Sequence, residues 1–371
     1  MKIIRKKATA MNYKLFLTIL ISLFFSELIS AQSFNEKRVI HKSFPANKEK
    51  TLEVNNKYGT IHITPWEKDS VSIRAEIEAF ASDLDRLHNM FHGIEVNISE
   101  TSLMVRAETE FTQNIYILFE EFKGITKNMI PYNSKIQINY YIDAPEYLDM
   151  RITNKYGDVY MENNTGTFKL NLSNGSFKAN SLNETGGIDL TFCDATINKM
   201  NGGFFNTSFS EVVIGESKDL SITSISSRFD LKKTGKLDTR SKRDKFFIGT
   251  ITSLKGNSYF TDFRIDELDK EINMVTKYGS LRVGLLTPDI ELVTINTGYS
   301  DIDLTFDPSA SYNLDIRHLN TFLVLPEKNS KLEKKILNEE EKEYMTYGTV
   351  GKNPGDVRVK IDATRGNIFL K

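Results

Sequence analysis

Histidine and cysteine are the scarcest reactive side chains of this 371-residue chain, with five of the first and one of the second, and their spacing bounds the chemistry open to it. His88 and His92 stand four residues apart, which on a helix puts both imidazoles on one face where a metal could bridge them. The glutamate that a zinc protease carries directly after its first histidine is missing, because Asn89 stands there. His41, His62 and His318 are scattered and supply no third ligand, so no metal or cofactor site is assigned. The lone Cys193 excludes a disulfide framework and any cysteine-based zinc or iron–sulfur centre within one chain.

Carboxylates and aromatics offer other chemistry. Asp301 and Asp303 alternate along one strand, so both face the same side about 7 Å apart, a spacing at which a carboxylate pair can act on a glycosidic bond. Tyr58, Tyr156, Tyr278 and Tyr299 recur in a shared local pattern, and an exposed row of rings would stack on sugars. Their parity with Val54, Ile152, Met274 and Ile295 instead assigns them to corner or core positions. Phe111, Tyr116, Phe119 and Phe122, set among Glu120, Glu121 and Lys123, lie in a segment that interrupts the strands, and are the candidate partner-binding residues. No catalytic residue is assigned.

What positions these groups is a repeat. Lys-Tyr-Gly occurs at 57–59, 155–157 and 277–279, each time before a short apolar alternation. With the glycine as marker, the pattern extends through Gly157, Gly175, Cys193, Ser210, Ser227, Asp244, Thr261, Gly279 and Ser300, eight intervals over 143 residues, and outlying copies sit at Gly59 and Gly366. The residues two and four places after each marker are apolar at every copy, from Ile61 and Ile63 to Ile368 and Leu370. Alternate residues of a strand face opposite ways, so these are two inward columns. A unit of about 18 residues cannot bury its own apolar side and must stack on its neighbours. The expected fold class is therefore all-β: a single-stranded parallel β-solenoid of ~18-residue coils, whose marker is small because the backbone turns a corner there. Calcium-binding nonapeptide rolls need a Gly-Gly-x-Gly-x-Asp turn, approached only by Gly186-Gly187-Ile188-Asp189.

The ends differ from the middle. Basic residues from Lys2 to Lys14, an apolar run from Leu15 to Phe25 and small residues ending at Ala31 read as a signal peptide over 1–31. Residues 32–145 form an N-terminal cap, with a helix at 82–92 and an inserted loop at 109–134. The regular stack covers 146–326, and 327–371 is a charged loop or short helix followed by the last rung at 357–370. Nothing after the leader is long and apolar enough to span a membrane. Lys plus Arg number 48 against 49 Asp plus Glu, a net charge of −1 that argues against a nucleic-acid binder.

On its Asn-Lys-Tyr-Gly segments at 56–59 and 154–157, each followed by alternating apolar residues, and on the early helix between strands, the chain resembles the bacterial "putative adhesin" β-solenoid proteins of the head GIN type, over about residues 50–371. That resemblance implies an exported or envelope-associated β-solenoid and brings no catalytic residues with it. The expected function is non-enzymatic: a protein of the periplasm, outer surface or medium that binds a surface ligand, glycan or envelope protein. The alternative is a glycan-active β-helix enzyme, a polysaccharide lyase or hydrolase.

Overall fold

The computed structural model describes residues 34–112 and 135–371. The signal-peptide segment, and Tyr116, Phe119 and Phe122, lie outside the described residues. The described residues are mostly β, with one short helix and one large, largely parallel sheet among them. No helix among the described residues is long and apolar enough to cross a membrane.

The periodic columns are the core. Val212 lies beside Phe229, Phe229 beside Phe246 and Phe246 beside Phe263, in parallel strands Glu211–Ile225, Arg228–Lys242, Lys245–Tyr259 and Asp262–Lys277. Each pairing steps by 17 residues. All 22 residues two and four places after a marker are buried. A parallel pair of equal segments puts identical repeat positions over one another, so the rings of Phe229, Phe246 and Phe263 stack at 4.6 and 4.7 Å with planes about 10° apart.

Both ends depart from simple succession. The final strand Arg358–Leu370 is not the last layer: it pairs in parallel with Leu292–Phe306 on one side and with Tyr312–Leu319 and Phe322–Val324 on the other. The chain thus passes one layer ahead, forms an antiparallel hairpin Ser330–Asn338 with Glu343–Val350, and returns to fill the gap. The expected charged loop or short helix at 327–343 is instead largely the first strand of that hairpin and its turn. At the other end Thr51–Lys57 lies between Asp149–Lys155 and Met104–Phe111, and Ile61–Pro65 lies between residues 159–161 and Lys135–Ala144. The predicted helix forms as Leu84–His92, with Asp83 Oδ1 accepting from Arg86 N at 2.8 Å as its N-cap. The expected loop at 109–134 starts too early, because Thr109, Glu110 and Phe111 continue a strand paired with Ile94–Glu100.

Among the described residues, Phe34–Pro45 and Ser330–Asn338 each pair on one side only. Both are mostly exposed and carry three cations each, Lys37, Arg38 and Lys42 in the first and Lys331, Lys334 and Lys335 in the second, which makes an open edge a poor template for another chain. Within the C-terminal cap His318 is 4% exposed, lies 5.5 Å from the Tyr344 ring, and has no hydrogen-bond partner on either ring nitrogen. Burial, and secondarily the Lys334 ammonium, push its pKa below the usual 6.5. A histidine depressed in the folded state binds fewer protons than in the unfolded chain, so its stabilising effect is full above about 6.5 and is lost as pH falls below it. Between pH 7.5 and 5 the wild type should therefore lose more thermal stability than His318→Leu; equal losses would show that His318 is not kept neutral.

Candidate binding surface

The corner of each repeat is built by a left-handed residue, and it is not the marker. Tyr58, Tyr156, Asn174, Phe192, Phe209, Ser226, Arg243, Phe260, Tyr278, Tyr299 and Arg365, each immediately before a marker, have φ between 53° and 65°. The marker's own backbone needs no such freedom at Gly59, Gly157 or Gly175. What glycine provides there is closeness, since a Cβ on Gly157 would overlap the carbonyl of Gly59. The expectation that the marker itself supplies the unusual dihedral is corrected accordingly.

A left-handed non-glycine residue costs about 1–2 kcal/mol, and hydrogen bonds along the stack offset it. The corner N–H groups donate to the neighbouring layer, as from Arg243 N to Tyr259 O and from Phe260 N to Lys277 O, both 2.9 Å. Polar markers add a second ladder: Cys193 N donates to Ser210 Oγ at 3.1 Å, Ser210 N to Ser227 Oγ at 3.3 Å and Asp244 N to Thr261 Oγ1 at 3.3 Å. Asp244, 1% exposed, is its centre. Its Oδ1 accepts from Ser227 N at 2.7 Å, and its Oδ2 accepts from Ser224 Oγ, Ser241 Oγ and Lys242 N at 2.5, 2.6 and 3.0 Å.

The same corner carries an aromatic column on the outside. Tyr156, Phe192, Phe209, Phe260, Tyr278 and Tyr299 are 46–57% exposed. Phe192 stacks on Phe209 at 5.0 Å, Phe260 on Tyr278 at 5.0 Å, Tyr278 on Tyr299 at 5.1 Å, and Tyr156 on the half-buried Tyr58 at 5.4 Å. Arg365 closes one end, 5.2 Å from the Tyr299 ring and donating to its hydroxyl at 2.8 Å. The tyrosines do sit at corners, but the core half of that expectation fails: parity counting holds only in extended backbone, and one left-handed residue turns its side chain outward. Counting tyrosine alone also missed Phe192, Phe209 and Phe260 at the same position. Because the rings stack face to face, most of them present edges to solvent.

Of the candidate residues, Phe111 is half-buried, 5.7 Å edge-on to Tyr58, and so extends this column at its N-terminal end. Asp301 and Asp303 do share a side, but each has its own partner: Asn367 Nδ2 donates to Asp301 at 2.7 Å, and Lys371 Nζ pairs with Asp303 at 2.9 Å. A groove of about 760 Å³ crosses another face, and three of its acids are likewise paired, Asp219 with Lys236, Glu271 with Lys255 and Glu291 with Lys270. Asn163, Asn180 and Asn198 form a side-chain ladder, bonded at 2.9 and 3.1 Å.

His88 and His92 do share a helix face, with rings 6.5 Å apart, and His92 Nδ1 lies 2.8 Å from the His88 carbonyl. Among the described residues no three His, Cys, Asp or Glu side chains gather as a metal ion requires. His62 is sandwiched between Tyr141 and Tyr160 at 5.3 and 5.0 Å, and burial lowers its pKa against the opposing pull of Asp158. Cys193 is a buried marker whose thiol burial pushes upward in pKa, consistent with a packing role.

No protein-family model and no curated protein matches the chain. Among solved structures it is similar to a "putative cell adhesion protein" from Clostridium sporogenes, at 12% identity over 91% of this chain and 100% of the other, with a TM-score of 0.19. It is also similar to a "putative adhesin" from Parabacteroides distasonis, at 11% identity over 73% and 90% of the two chains with a TM-score of 0.28. A "putative lipid binding protein" from the same species gives 10%, 73%, 92% and 0.31. The first two are of the kind that the Asn-Lys-Tyr-Gly segments led us to expect. At TM-scores this low the likeness carries no argument about function.

Proposed function

We propose that this chain is an exported, non-enzymatic β-solenoid that acts as an adhesin-like binding or structural protein of the bacterial envelope or surface. In this reading 1–31 is the leader, 32–145 the cap, 146–326 the regular solenoid and 327–371 its closure. The single observation carrying it is the exposed aromatic column. Surface aromatics held in left-handed conformations along one edge serve no core; they form three stacked groups, separated by Asn174 and by Ser226 with Arg243, and exposed apolar groups of this kind mark an interaction site.

The test replaces Phe192, Phe209, Phe260 and Tyr278 by asparagine, which tolerates the left-handed conformation and already occupies it at Asn174. The folded variant should lose retention on envelopes of the producing cells. Wild-type retention, or release of products from a polysaccharide panel by the wild type, would contradict the proposal.

A further inference from the structure

Residues 228–255 contain nine Lys and Arg against three Asp, one of which is the buried Asp244. In the two layers Arg228–Lys242 and Lys245–Tyr259 these cations surround the corner. Arg228 lies directly beside Lys245, Arg243 occupies the left-handed position between Ser226 and Phe260, and Arg240 and Lys242 precede it on the adjoining strand. All five are exposed. Lys233 and Lys236 carry the charge onward along the same repeat.

Some outward cations elsewhere have acidic partners, as Lys255 has Glu271, Lys270 has Glu291 and Lys371 has Asp303, all near 3 Å. Here Arg228 pairs with Glu211 at 3.3 Å and Lys236 with Asp219 at 4.0 Å. Among the described residues, Arg240, Lys242, Arg243 and Lys245 have no ion-pair partner. Four unneutralised cations within two layers, each about 4.8 Å thick, repel one another, and that repulsion is relieved when an anion binds.

We infer that this collar binds a linear anionic polysaccharide, one bearing carboxylate or sulfate groups, laid across the rod. The inference rests on the binding reading above and names its ligand class. The four unpaired cations lie together at one corner, and the exposed acids Glu211 and Asp262 sit directly beside Arg228 and Lys245 in the adjoining layers. A broad anionic membrane would press on those acids as well, whereas a narrow polymer follows the cations alone. A single-stranded nucleic acid stacks successive bases on aromatic rings. The corner positions within the collar are Ser226 and Arg243, which interrupt the row of rings between Phe209 and Phe260. Sugar carboxylates and sulfates ask only for cations and hydrogen-bond donors, which Arg240, Lys242, Arg243, Lys245 and the neighbouring Ser226 hydroxyl supply.

The test measures binding of the full chain to polygalacturonate and to heparin as salt is raised, with dextran as the neutral control. The variant Arg240→Ser, Lys242→Ser, Arg243→Asn, Lys245→Ser is compared with Lys328→Ser, Lys331→Ser, Lys335→Ser, Lys352→Ser, which removes the same charge at the C-terminal cap. The collar variant should bind at least about tenfold more weakly and with a flatter salt dependence, while the cap variant and dextran change nothing. Equal losses in both variants would overturn the inference, as would tighter binding to phosphatidylglycerol vesicles or to a single-stranded oligonucleotide. If the collar fails this test while the aromatic variant still loses envelope retention, only the ligand class falls and the binding reading stands.

Discussion

Phe246→Ala should destabilise the folded chain by about 4 kcal/mol, the range for removing a fully buried phenylalanine ring whose cavity cannot collapse. Phe246 is 1% exposed and sits between the rings of Phe229 and Phe263, each less than 5 Å away, so its loss removes two stacking contacts as well as the burial. The neighbouring layers are fixed in register by parallel pairing and cannot close the gap by sliding, because a one-residue slip would turn every apolar column outward. Chemical denaturation read by far-UV circular dichroism measures the loss. Phe192→Ala, which truncates a stacked but 57% exposed ring, gives the contrast and should cost less than about 1.5 kcal/mol. Similar losses for the two would mean that stacking, not burial, stabilises the repeat.

Asp244→Ala should cost about 3 kcal/mol or more although it removes only a carboxylate. Four donors point at that group, two backbone N–H and two hydroxyls, and all lie where water does not replace the acceptor. An unsatisfied buried donor costs about 1–3 kcal/mol, and the two hydroxyls can rotate toward other acceptors while the N–H of Ser227 and Lys242 cannot. Asp244→Asn should recover only part of the loss, because the amide nitrogen of asparagine would face donors on one side. Thermal denaturation of the three proteins at one pH checks this order, and an alanine variant as stable as the wild type would remove Asp244 from the centre of the corner ladder.

These two residues show how differently the fold and the surface can be read from the sequence. The column containing Phe246 is legible because burial imposes alternation on every repeat, and a signal repeated eleven times stands out from composition. Asp244 is legible only as a turn-forming marker. Residue type at this position does not separate an exposed aspartate in a turn from a buried acceptor, since two of its four donors, Ser224 and Ser227, come from the preceding repeat and join Ser241 and Lys242 only in the fold. The aromatic column hides for another reason. A single left-handed residue reverses the parity that assigns sides, and backbone dihedrals of Phe, Tyr or Arg leave no mark on residue type, as glycine's do. The return of Arg358–Leu370 between two earlier segments is invisible as well, because a strand carries the same apolar pattern whichever neighbour it pairs with.

The stacking of successive repeats in parallel register is the claim on which the aromatic column and the cationic collar both depend. Spin labels on cysteines replacing Glu211 and Arg228, or Glu211 and Lys245, in a Cys193→Ala background test it directly. These residues are exposed and occupy one column, one and two layers apart. At a strand spacing of about 4.8 Å the Cα atoms are about 5 and 10 Å apart. The account predicts strong spectral broadening for the first pair and clearly weaker broadening for the second. Uncoupled spectra for Glu211 with Arg228, or stronger coupling for Glu211 with Lys245, would contradict it.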